Sequence, residues 1–233
     1  MQPTGIAGRW TLKFADDFRG STVDLTKWKT SWPVYGTPQG VVSGPASGLE
    51  RSCYDPARSS VARGVLSITA IAQDCRTYEG YRYAYASDQL STFETLRFTY
   101  GVVEARINIP PDGAQTANWP QLWLVGYQPW PQGGEIDVVE GSQGKLLVGY
   151  HAPGVSWNTR PAVSSYSGWH TFAVNWQRGS ITYYVDGRQV ARHTRGITSR
   201  PQYLNVGLGI PPAAWSPAVV PSTMQVDYVR IWQ

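Results

Sequence analysis

The sequence is poor in the features that mark several protein classes. Charged residues make up only 15% of its 233 residues, and the lysines are limited to Lys13, Lys27, Lys29 and Lys145. The net charge of +4 is scattered along the chain with no basic run, so we expect no nucleic-acid partner. No stretch approaches the roughly 20 consecutive apolar residues of a membrane span, and we therefore expect no association with a membrane.

Cysteine is scarce as well. Cys53 and Cys75 are the only two, and polar and turn-forming residues fill the segment between them. A disulfide would close a loop of about 22 residues and stabilise the fold by roughly 3 kcal/mol, with two unpaired buried thiols as the alternative. Residues 1–5 lack the basic and apolar regions of a signal peptide. We expect a secreted monomer whose leader is absent from this chain.

Signatures of several enzyme classes are also missing. We find no His/Cys cluster with zinc spacing, no G-x-S-x-G turn and no glycine loop suited to phosphate. Of the three histidines, we expect His170 and His193 to be structural or exposed. The sequence thus gives little support to a metalloenzyme, a serine hydrolase or a nucleotide-binding protein.

What the chain does contain is a strand pattern and many aromatic residues. In 101–109, apolar Val103, Ala105 and Ile107 alternate with polar residues, which is typical of a strand with one buried face. The 11 Trp and 14 Tyr suit either a sandwich core or flat surfaces that stack on sugars. Because no long helical pattern appears, we predict an all-β sandwich in a single domain over 1–233.

Further strands are predicted wherever period-2 patterns recur, and Gly and Pro punctuate the gaps between them. Asp186-Gly187 is a pair suited to a type I′ hairpin turn. The segment 32–48 reads as a long surface loop of the kind that is often functional. The remaining predicted strands are 65–70, 122–125, 135–140, 145–150, 171–176, 181–185, 188–192 and 225–232.

The segment 135–140 carries three carboxylates in an otherwise apolar strand-like stretch. Cleavage of a glycosidic bond needs two carboxylates facing one cleft, one as acid and one as nucleophile or base. Glu135 and Asp137 share a face, but Glu140 lies an odd number of residues away and would point to the other side. A β-bulge at Val138-Val139 would restore the alternation and bring all three to one face.

Three acids on a solvated edge strand are the alternative interpretation of this segment. The intervening apolar residues weaken it, because they imply that the other face of the strand lies in the core. Asp137, placed between the two glutamates, would hydrogen-bond to one of them and repel its charge. One partner would then stay protonated near neutral pH while the other is ionised.

At this point the sequence resembles glycoside hydrolase family 16, and in particular its laminarinase-like branch with the pattern E-[IL]-D-x-x-E. The resemblance extends over nearly the whole chain, and the order and spacing of its pieces carry it. Those pieces are 14–18 (FADDF), Glu50 with 53–54 (CY), 100–106 (YGVVEAR), 119–123 (WPQLW), 130–131 (WP) before 134–140 (GEIDVVE), and 226–230 (VDYVR).

The resemblance implies a jelly roll of two antiparallel sheets with a substrate groove across the concave face. It implies a retaining mechanism with Glu135 as nucleophile, Glu140 as acid/base and Asp137 as assisting acid. It also implies that catalysis requires no cofactor. Many members bind a structural calcium ion on the convex side, for which the matching residues here are Asp17 and Asp227.

The resemblance also indicates residues that contact a polysaccharide substrate. Trp130 and Trp119 sit beside Pro, Gly and Asn in segments that read as loops, whereas Trp123 lies in an apolar strand; each could equally be core. Trp157 and Trp215, in predicted loops, are weaker candidates, although Trp215 resembles a cleft tryptophan of the family. The other candidates are Glu50, as a hydroxyl acceptor, and His151, which could instead be a neutral structural histidine.

Two departures from the family pattern bear on the substrate. Residues 87–89 read Ser-Asp-Gln where many members carry an arginine, and 204–209 differ from an Asn-Leu-Ala-Val-Gly pattern common in glucanases. We expect an endo-β-1,3-glucanase or a mixed β-1,3/1,4-glucanase. A galactanase or agarase-like enzyme, a transglycosylase and a non-enzymatic carbohydrate-binding lectin remain the alternatives.

Overall fold

Two packed β-sheets form the architecture in the computed structural model of the chain, which describes residues 1–32, 36–163 and 165–233. Within these residues every regular element is a strand except one 3-10 turn, Pro56–Arg58. Over the same described ranges, the strands pair antiparallel apart from a single parallel pair. The predicted all-β sandwich is therefore confirmed.

The strands are numbered in chain order. They are β1 (Leu12–Asp16), β2 (Lys29–Thr30), β3 (Ser52–Tyr54), β4 (Ser59–Ala62), β5 (Val65–Arg76), β6 (Arg82–Ser87), β7 (Gln89–Ser91), β8 (Gly101–Ile109), β9 (Pro111–Asp112), β10 (Gln115–Thr116), β11 (Trp119–Gly126), β12 (Glu135–Ser142), β13 (Lys145–Ala152), β14 (Val155–Thr159), β15 (Gly168–Gln177), β16 (Ser180–Val185), β17 (Arg188–His193), β18 (Gln202–Gly209) and β19 (Ser222–Trp232).

The strand order of each sheet brings distant parts of the chain together. The larger sheet has the order β17-β16-β15-β8-β19-β5-β6-β3, with β1 paired to β19 and β4 paired to β5. The smaller sheet has the order β14-β13-β12-β11-β18-β7-β2. The acidic strand β12 thus lies inside the smaller sheet, between β11 and β13, and the interpretation as a solvated edge strand is wrong.

The core lies between the two sheets and follows from the period-2 pattern. On β8, Val103, Ala105 and Ile107 are fully buried and belong to the same apolar cluster as Leu122 and Ile136 of the smaller sheet. Burial of such side chains stabilises the sandwich by roughly 1.5–3 kcal/mol each. One face of each central strand packs in this core, and the opposite face of the smaller sheet is available for a site.

Most predicted strands are confirmed, with ends that differ by a few residues. The 101–109 strand has the predicted limits, whereas 65–70 continues to Arg76. Asp186 and Gly187 have φ of +50° and +74°, the left-handed pair that a type I′ turn requires. The gap after Ile109 contains the short hairpin β9–β10.

The predicted loop 32–48 falls partly on residues 33–35, which lie outside the described residues. Its described part contains one isolated bridge, between Ser43 and Tyr54. The predicted disulfide between Cys53 and Cys75 is confirmed and connects β3 to β5 in a small buried cluster. No helix in the described ranges is long and apolar enough to cross a membrane.

Candidate active site

A cleft of about 1030 Å³ lies on the face of the smaller sheet that points away from the core. Its floor comes from β11, β12 and β13, and its walls come from the segments around residues 46–50, 128–130 and 215. The cleft-lining residues on which the site depends are Trp32, Glu50, Trp119, Gln121, Trp123, Trp130, Glu135, Asp137, Glu140, His151, Tyr203 and Trp215.

A β-bulge in β12 brings its acidic side chains to this cleft. On β11, the neighbouring residues Leu122 and Trp123 pair with Val139 and Asp137, so Val138 is the extra residue. Against β13 the same irregularity falls between Asp137 and Glu140. The bulge is therefore where the alternation of side chains predicts it.

The bulge has the expected consequence for the three carboxylates. Glu135, Asp137 and Glu140 all line the cleft, while Ile136 and Val138 are fully buried in the core. In a regular strand, Glu140 would have pointed into the core, where an unpaired carboxylate is costly. The extra residue thus resolves the conflict between the apolar and the acidic patterns of the strand.

Asp137 is the most buried of the three acids, with 4% of its surface exposed. Burial, together with the negative charges of Glu135 and Glu140, raises the pKa of Asp137 well above its usual range. The raised pKa favours the protonated form of Asp137, which donates a hydrogen bond to Glu135. Gly149 makes room for it, because a Cβ at Gly149 would lie only 2.6 Å from Asp137 Oδ2.

The surroundings of Glu135 have opposing effects on its pKa. Burial, and then the charge of Glu140, raises the pKa of Glu135 above its usual range. Hydrogen bonds from Asp137 and from the side chain of Trp130 act in the other direction. The hydrogen bond within the pair lowers the pKa of Glu135 and raises that of Asp137, which favours the proton on Asp137 and the charge on Glu135.

Glu140 is held by an aromatic donor from the neighbouring strand. The indole Nε1 of Trp119 donates to Glu140 Oε1 at 2.7 Å. Burial raises the pKa of Glu140, and this hydrogen bond partly opposes the shift. Because Trp119 occupies Oε1, the other oxygen of Glu140 is the one free to carry a proton.

His151 lies opposite Glu135 on β13 and lines the cleft, as predicted. Its Nε2 is 3.5 Å from Asp137 Oδ2, and its Nδ1 is 3.2 Å from Ser156 Oγ. Burial lowers the pKa of His151, so the ring is neutral near pH 7. His151 therefore contacts the carboxylate cluster rather than serving only as part of the core.

The tryptophan predictions are partly corrected. Trp130 is 61% exposed at the edge of the cleft, as a stacking surface requires. Trp119 is only 6% exposed and lies in β11, so its placement in a loop is wrong. The Pro and Asn beside it mark the start of a strand, not a loop. Trp123, in the same strand, lines the cleft.

The positions of two more tryptophans, Trp215 and Trp157, are set by contacts with residues far away in the sequence. Trp215 lies in a turn, lines the cleft and packs against Trp119 at a ring distance of 5.0 Å. Trp157 is in β14, not in a loop, and packs against Tyr183 and His193. The predicted role of Trp157 as a weak sugar-stacking candidate therefore finds no support.

Several cleft residues escaped the sequence analysis. Trp32 stacks on Trp123 with ring centroids 5.6 Å apart, and Tyr203 and Gln121 also line the cleft. Gln121 pairs with Glu140 across β11 and β12, a position that the bulge prediction could have indicated. Tyr203 gave no signal and Trp32 was marked only as the start of the predicted loop 32–48, because their proximity to the site depends on strand order and on the path of that loop.

Glu50 lies at the cleft as predicted, but it is 4% exposed and already has partners. It accepts hydrogen bonds from Tyr54 Oη at 2.8 Å and from Ser52 Oγ at 2.9 Å. Burial raises the pKa of Glu50 to about 8, although hydrogen bonds from Tyr54, Ser52 and Gln121 oppose the shift. It is thus a mostly protonated acid that supports the wall of the cleft near neutral pH.

The segment in which the family arginine is replaced is buried. Asp88 accepts hydrogen bonds from Ser59 Oγ at 2.6 Å and from the Ser31 amide at 3.2 Å. Burial raises the pKa of Asp88 to about 7. Gln89 and Asn205 are also fully buried, and neither lines the cleft.

Asp17 and Asp227 do not fit a calcium site. Asp17 accepts a hydrogen bond from Arg230 at 2.6 Å, and Asp227 accepts one from Arg106 at 3.0 Å. Calcium requires six to eight oxygen ligands with available lone pairs. Each carboxylate is instead neutralised by a guanidinium group.

Comparison with known proteins agrees with the geometry of the cleft. The family model "Glycosyl hydrolases family 16" matches residues 61–230. The chain is 29% identical over 272 residues to glucan endo-1,3-beta-glucosidase A1 of Niallia circulans, covering 98% of this chain and 38% of that protein. It is 32% identical over 196 residues to endo-1,3-1,4-beta-glycanase ExsH of Rhizobium meliloti, covering 77% of this chain and 41% of that protein.

The chain spans about two-fifths of the length of these curated relatives. Among solved structures, the catalytic domain of an endo-1,3-beta-glucanase (laminarinase) from Thermotoga petrophila superposes with a TM-score of 0.81. The two share 22% sequence identity, and the match covers 97% of this chain and 99% of that one. This structural likeness supports the sandwich fold.

Proposed function

Because the chain belongs to glycosyl hydrolase family 16, we propose that it is a retaining endo-β-glucanase. Its proposed substrate is β-1,3-glucan or mixed β-1,3/1,4-glucan. The named relatives are endo-acting enzymes on these two linkage types, which supports this choice. We further propose that residues 1–233 form one catalytic domain, that this domain is monomeric and that it is secreted; the buried disulfide supports an oxidising compartment.

The observation that carries this proposal is the convergence of three carboxylates through the bulge at Val138. Glycosidases of this type need one ionised and one protonated carboxyl group in the same cleft. The proton on Asp137 leaves Glu135 ionised, while burial raises the pKa of Glu140. These shifts support Glu135 as the nucleophile and Glu140 as the acid.

In the first step, the Glu135 carboxylate attacks the anomeric carbon of the bound sugar, and the bond to the leaving oxygen breaks. Glu140 delivers its proton to that oxygen, from the carboxyl oxygen that Trp119 does not occupy. In the second step, Glu140 takes a proton from water as the water oxygen attacks the anomeric carbon, and the bond from that carbon to Glu135 breaks to release the Glu135 carboxylate. Asp137 stabilises Glu135 by its hydrogen bond whenever Glu135 carries charge.

The aromatic walls support binding of an extended sugar chain. Trp130 lies at the Glu135 end of the cleft, and the Trp119–Trp215 pair lies beside Glu140. Flat aromatic faces on both sides of the carboxylates suit an endo-acting enzyme, because sugars stack on such faces on either side of the cleaved bond. No calcium ion at Asp17 and Asp227 is included in this proposal, because arginines bind both carboxylates.

Stereochemistry at the new reducing end tests the mechanism directly. The chain is incubated with laminarin or mixed-linkage glucan, and the first products are followed by NMR before mutarotation. Two displacements at one carbon retain configuration, so we expect the β-anomer to form first. An α-anomer as the first product would rule out double displacement.

The nucleophile is tested by chemical rescue. Glu135→Ala should abolish turnover, and azide should restore it by attacking in place of the missing carboxylate. With azide the product should be an α-glycosyl azide, because only one displacement occurs. Wild-type activity in Glu135→Ala, or rescue without inversion, would remove Glu135 from this role.

Other functions of the same site are separated by products. Chain length and linkage on a panel of β-glucans and galactans distinguish a glucanase from a galactanase. Transfer products at high oligosaccharide concentration would indicate a transglycosylase, because an acceptor sugar competes with water for the same intermediate. Binding without any product after long incubation would indicate a lectin.

A further inference from the structure

We propose that Glu135, Asp137 and His151 form a binding site for a borderline divalent transition metal such as Zn²⁺, and that the bound ion blocks the cleft. The inhibitory part rests on the proposed function, whereas the binding itself does not. Zn²⁺ is bound in proteins by imidazole nitrogen and carboxylate oxygen, which these residues offer once the proton of Asp137 is released to solvent on binding.

The spacing of the three side chains suits a small cation. One ligand atom from each residue lies within 4.8 Å of the other two. Zn²⁺ bonds are about 2.0–2.2 Å long, so the tetrahedral ligands stand roughly 3.3–3.6 Å apart. Side-chain rotations of the partly exposed Glu135 and His151 that move their ligand atoms by on the order of 1 Å would bring the three ligand atoms to bonding distance of one ion. Water from the cleft would supply the fourth ligand.

An unpartnered atom points to a missing ligand at this position. Asp137 is only 4% exposed, and its buried Oδ2 accepts no hydrogen bond from a protein donor among the described residues. His151 Nε2 lies 3.5 Å from this oxygen, beyond the usual range of a nitrogen–oxygen hydrogen bond. A buried polar group without a partner is costly, and a cation between these two atoms would satisfy both.

The second ring nitrogen of His151 is already placed as metal sites require. Ser156 lies opposite His151 on β14, with Ser156 Oγ 3.2 Å from Nδ1. The tautomer that donates Nδ1–H to Ser156 leaves the Nε2 lone pair directed at Asp137. Metal-binding histidines commonly have such an outer partner, which fixes the ring orientation.

Metal occupancy would have a direct effect on the proposed chemistry. The ion would coordinate the carboxylate of Glu135, so the electron pair that attacks the anomeric carbon would be engaged. It would also occupy the space between the floor of the cleft and the bound sugar. Inhibition should therefore be reversed by a chelator and weakened by saturating substrate.

Isothermal titration with Zn²⁺ alone tests the site without any substrate. We expect one ion per chain in the wild type and at least about tenfold weaker binding in His151→Gln. Ser156→Ala, at an exposed position of β14, should weaken binding by about tenfold through loss of the outer partner. His170→Gln is the matched control, because His170 also contacts one carboxylate, Asp186, at 2.8 Å.

Co²⁺ absorption adds a geometric readout that a purely structural role of His151 would not change. The wild type should give the intense visible bands of four-coordinate cobalt, and His151→Gln should lose them. The absence of Zn²⁺ binding in the wild type, or equal affinity in the wild type and His151→Gln, would overturn the proposal. If His151→Gln fails to fold by thermal melting, an unchanged affinity in Ser156→Ala overturns it instead.

The two proposals fail separately. A protein that binds Zn²⁺ at this site but hydrolyses no glucan would refute the function and leave the site intact. A protein that hydrolyses glucan but binds no Zn²⁺ would do the reverse.

Discussion

Replacement of Gly149 by alanine is the sharpest test of how the site is built. Gly149 lies opposite Asp137 in the pairing of β12 with β13. A Cβ at this position would lie 2.6 Å from Asp137 Oδ2, whereas an ordinary carbon–oxygen contact is about 3.5 Å. The methyl group must therefore displace the Asp137 carboxyl group by about 0.9 Å.

The expected loss of activity follows from that displacement. The hydrogen bond from Asp137 lowers the pKa of Glu135, so movement of Asp137 disturbs the proposed nucleophile. A misplacement of about 1 Å in a catalytic group costs about 10²-fold in rate, or roughly 2.7 kcal/mol of barrier. We expect Gly149→Ala to lower kcat on laminarin by about this factor and to change KM little.

Two controls separate this effect from general damage. Gly20→Ala adds a methyl group whose nearest neighbour is Thr22 O at 3.4 Å, an ordinary contact, and should keep wild-type kcat. In an Asp137→Ala background the added methyl has no carboxylate to displace, so Gly149→Ala should cause little further loss. Full activity in Gly149→Ala, or equal losses with and without Asp137, would refute the reasoning.

Three further predictions concern groups around the cleft. The Trp119 hydrogen bond lowers the pKa of Glu140, so Trp119→Phe should raise that pKa and shift the high-pH limb of kcat/KM upward; an unmoved limb would contradict this. Burial raises the pKa of Glu50 from 4.5 to about 8, so the folded state binds the proton more tightly and stability should fall as pH rises across that range. The Tm of Glu50→Gln should therefore fall less than that of the wild type as the pH rises over this range. An equal dependence of Tm on pH in the two proteins would contradict the raised pKa of Glu50. Joint replacement of Cys53 and Cys75 by serine should lower the free energy of unfolding by about 3 kcal/mol in urea titrations, and an unchanged midpoint would refute the loop-closure argument.

Local patterns carried much of the fold and part of the site. Alternation of apolar and polar residues predicted β8 with its observed limits, and Asp186-Gly187 predicted the hairpin between β16 and β17. The odd spacing of Glu140 from Asp137 predicted the bulge at Val138. These features depend on neighbours within a few residues, where backbone geometry leaves few options.

Two tryptophans were placed wrongly in loops because the residues around them are typical of loops. The Pro and Asn beside Trp119 indicated a loop, but the residue begins a central strand. Trp157 was placed in a loop for similar reasons, yet it packs in β14 against Tyr183. Pairing with distant strands overrides such local signals, because each partner contributes a full set of ladder hydrogen bonds.

The sequence by itself determined the sandwich class, the acidic strand and the need for an irregularity within it. Only the tertiary structure decided which residues surround those acids. The stacking of Trp32 on Trp123 and the close approach of Gly149 to Asp137 depend on sheet order, strand register and loop placement. The physical reason is that side-chain alternation is a property of one strand, whereas a cleft is built by contacts between segments far apart in the chain.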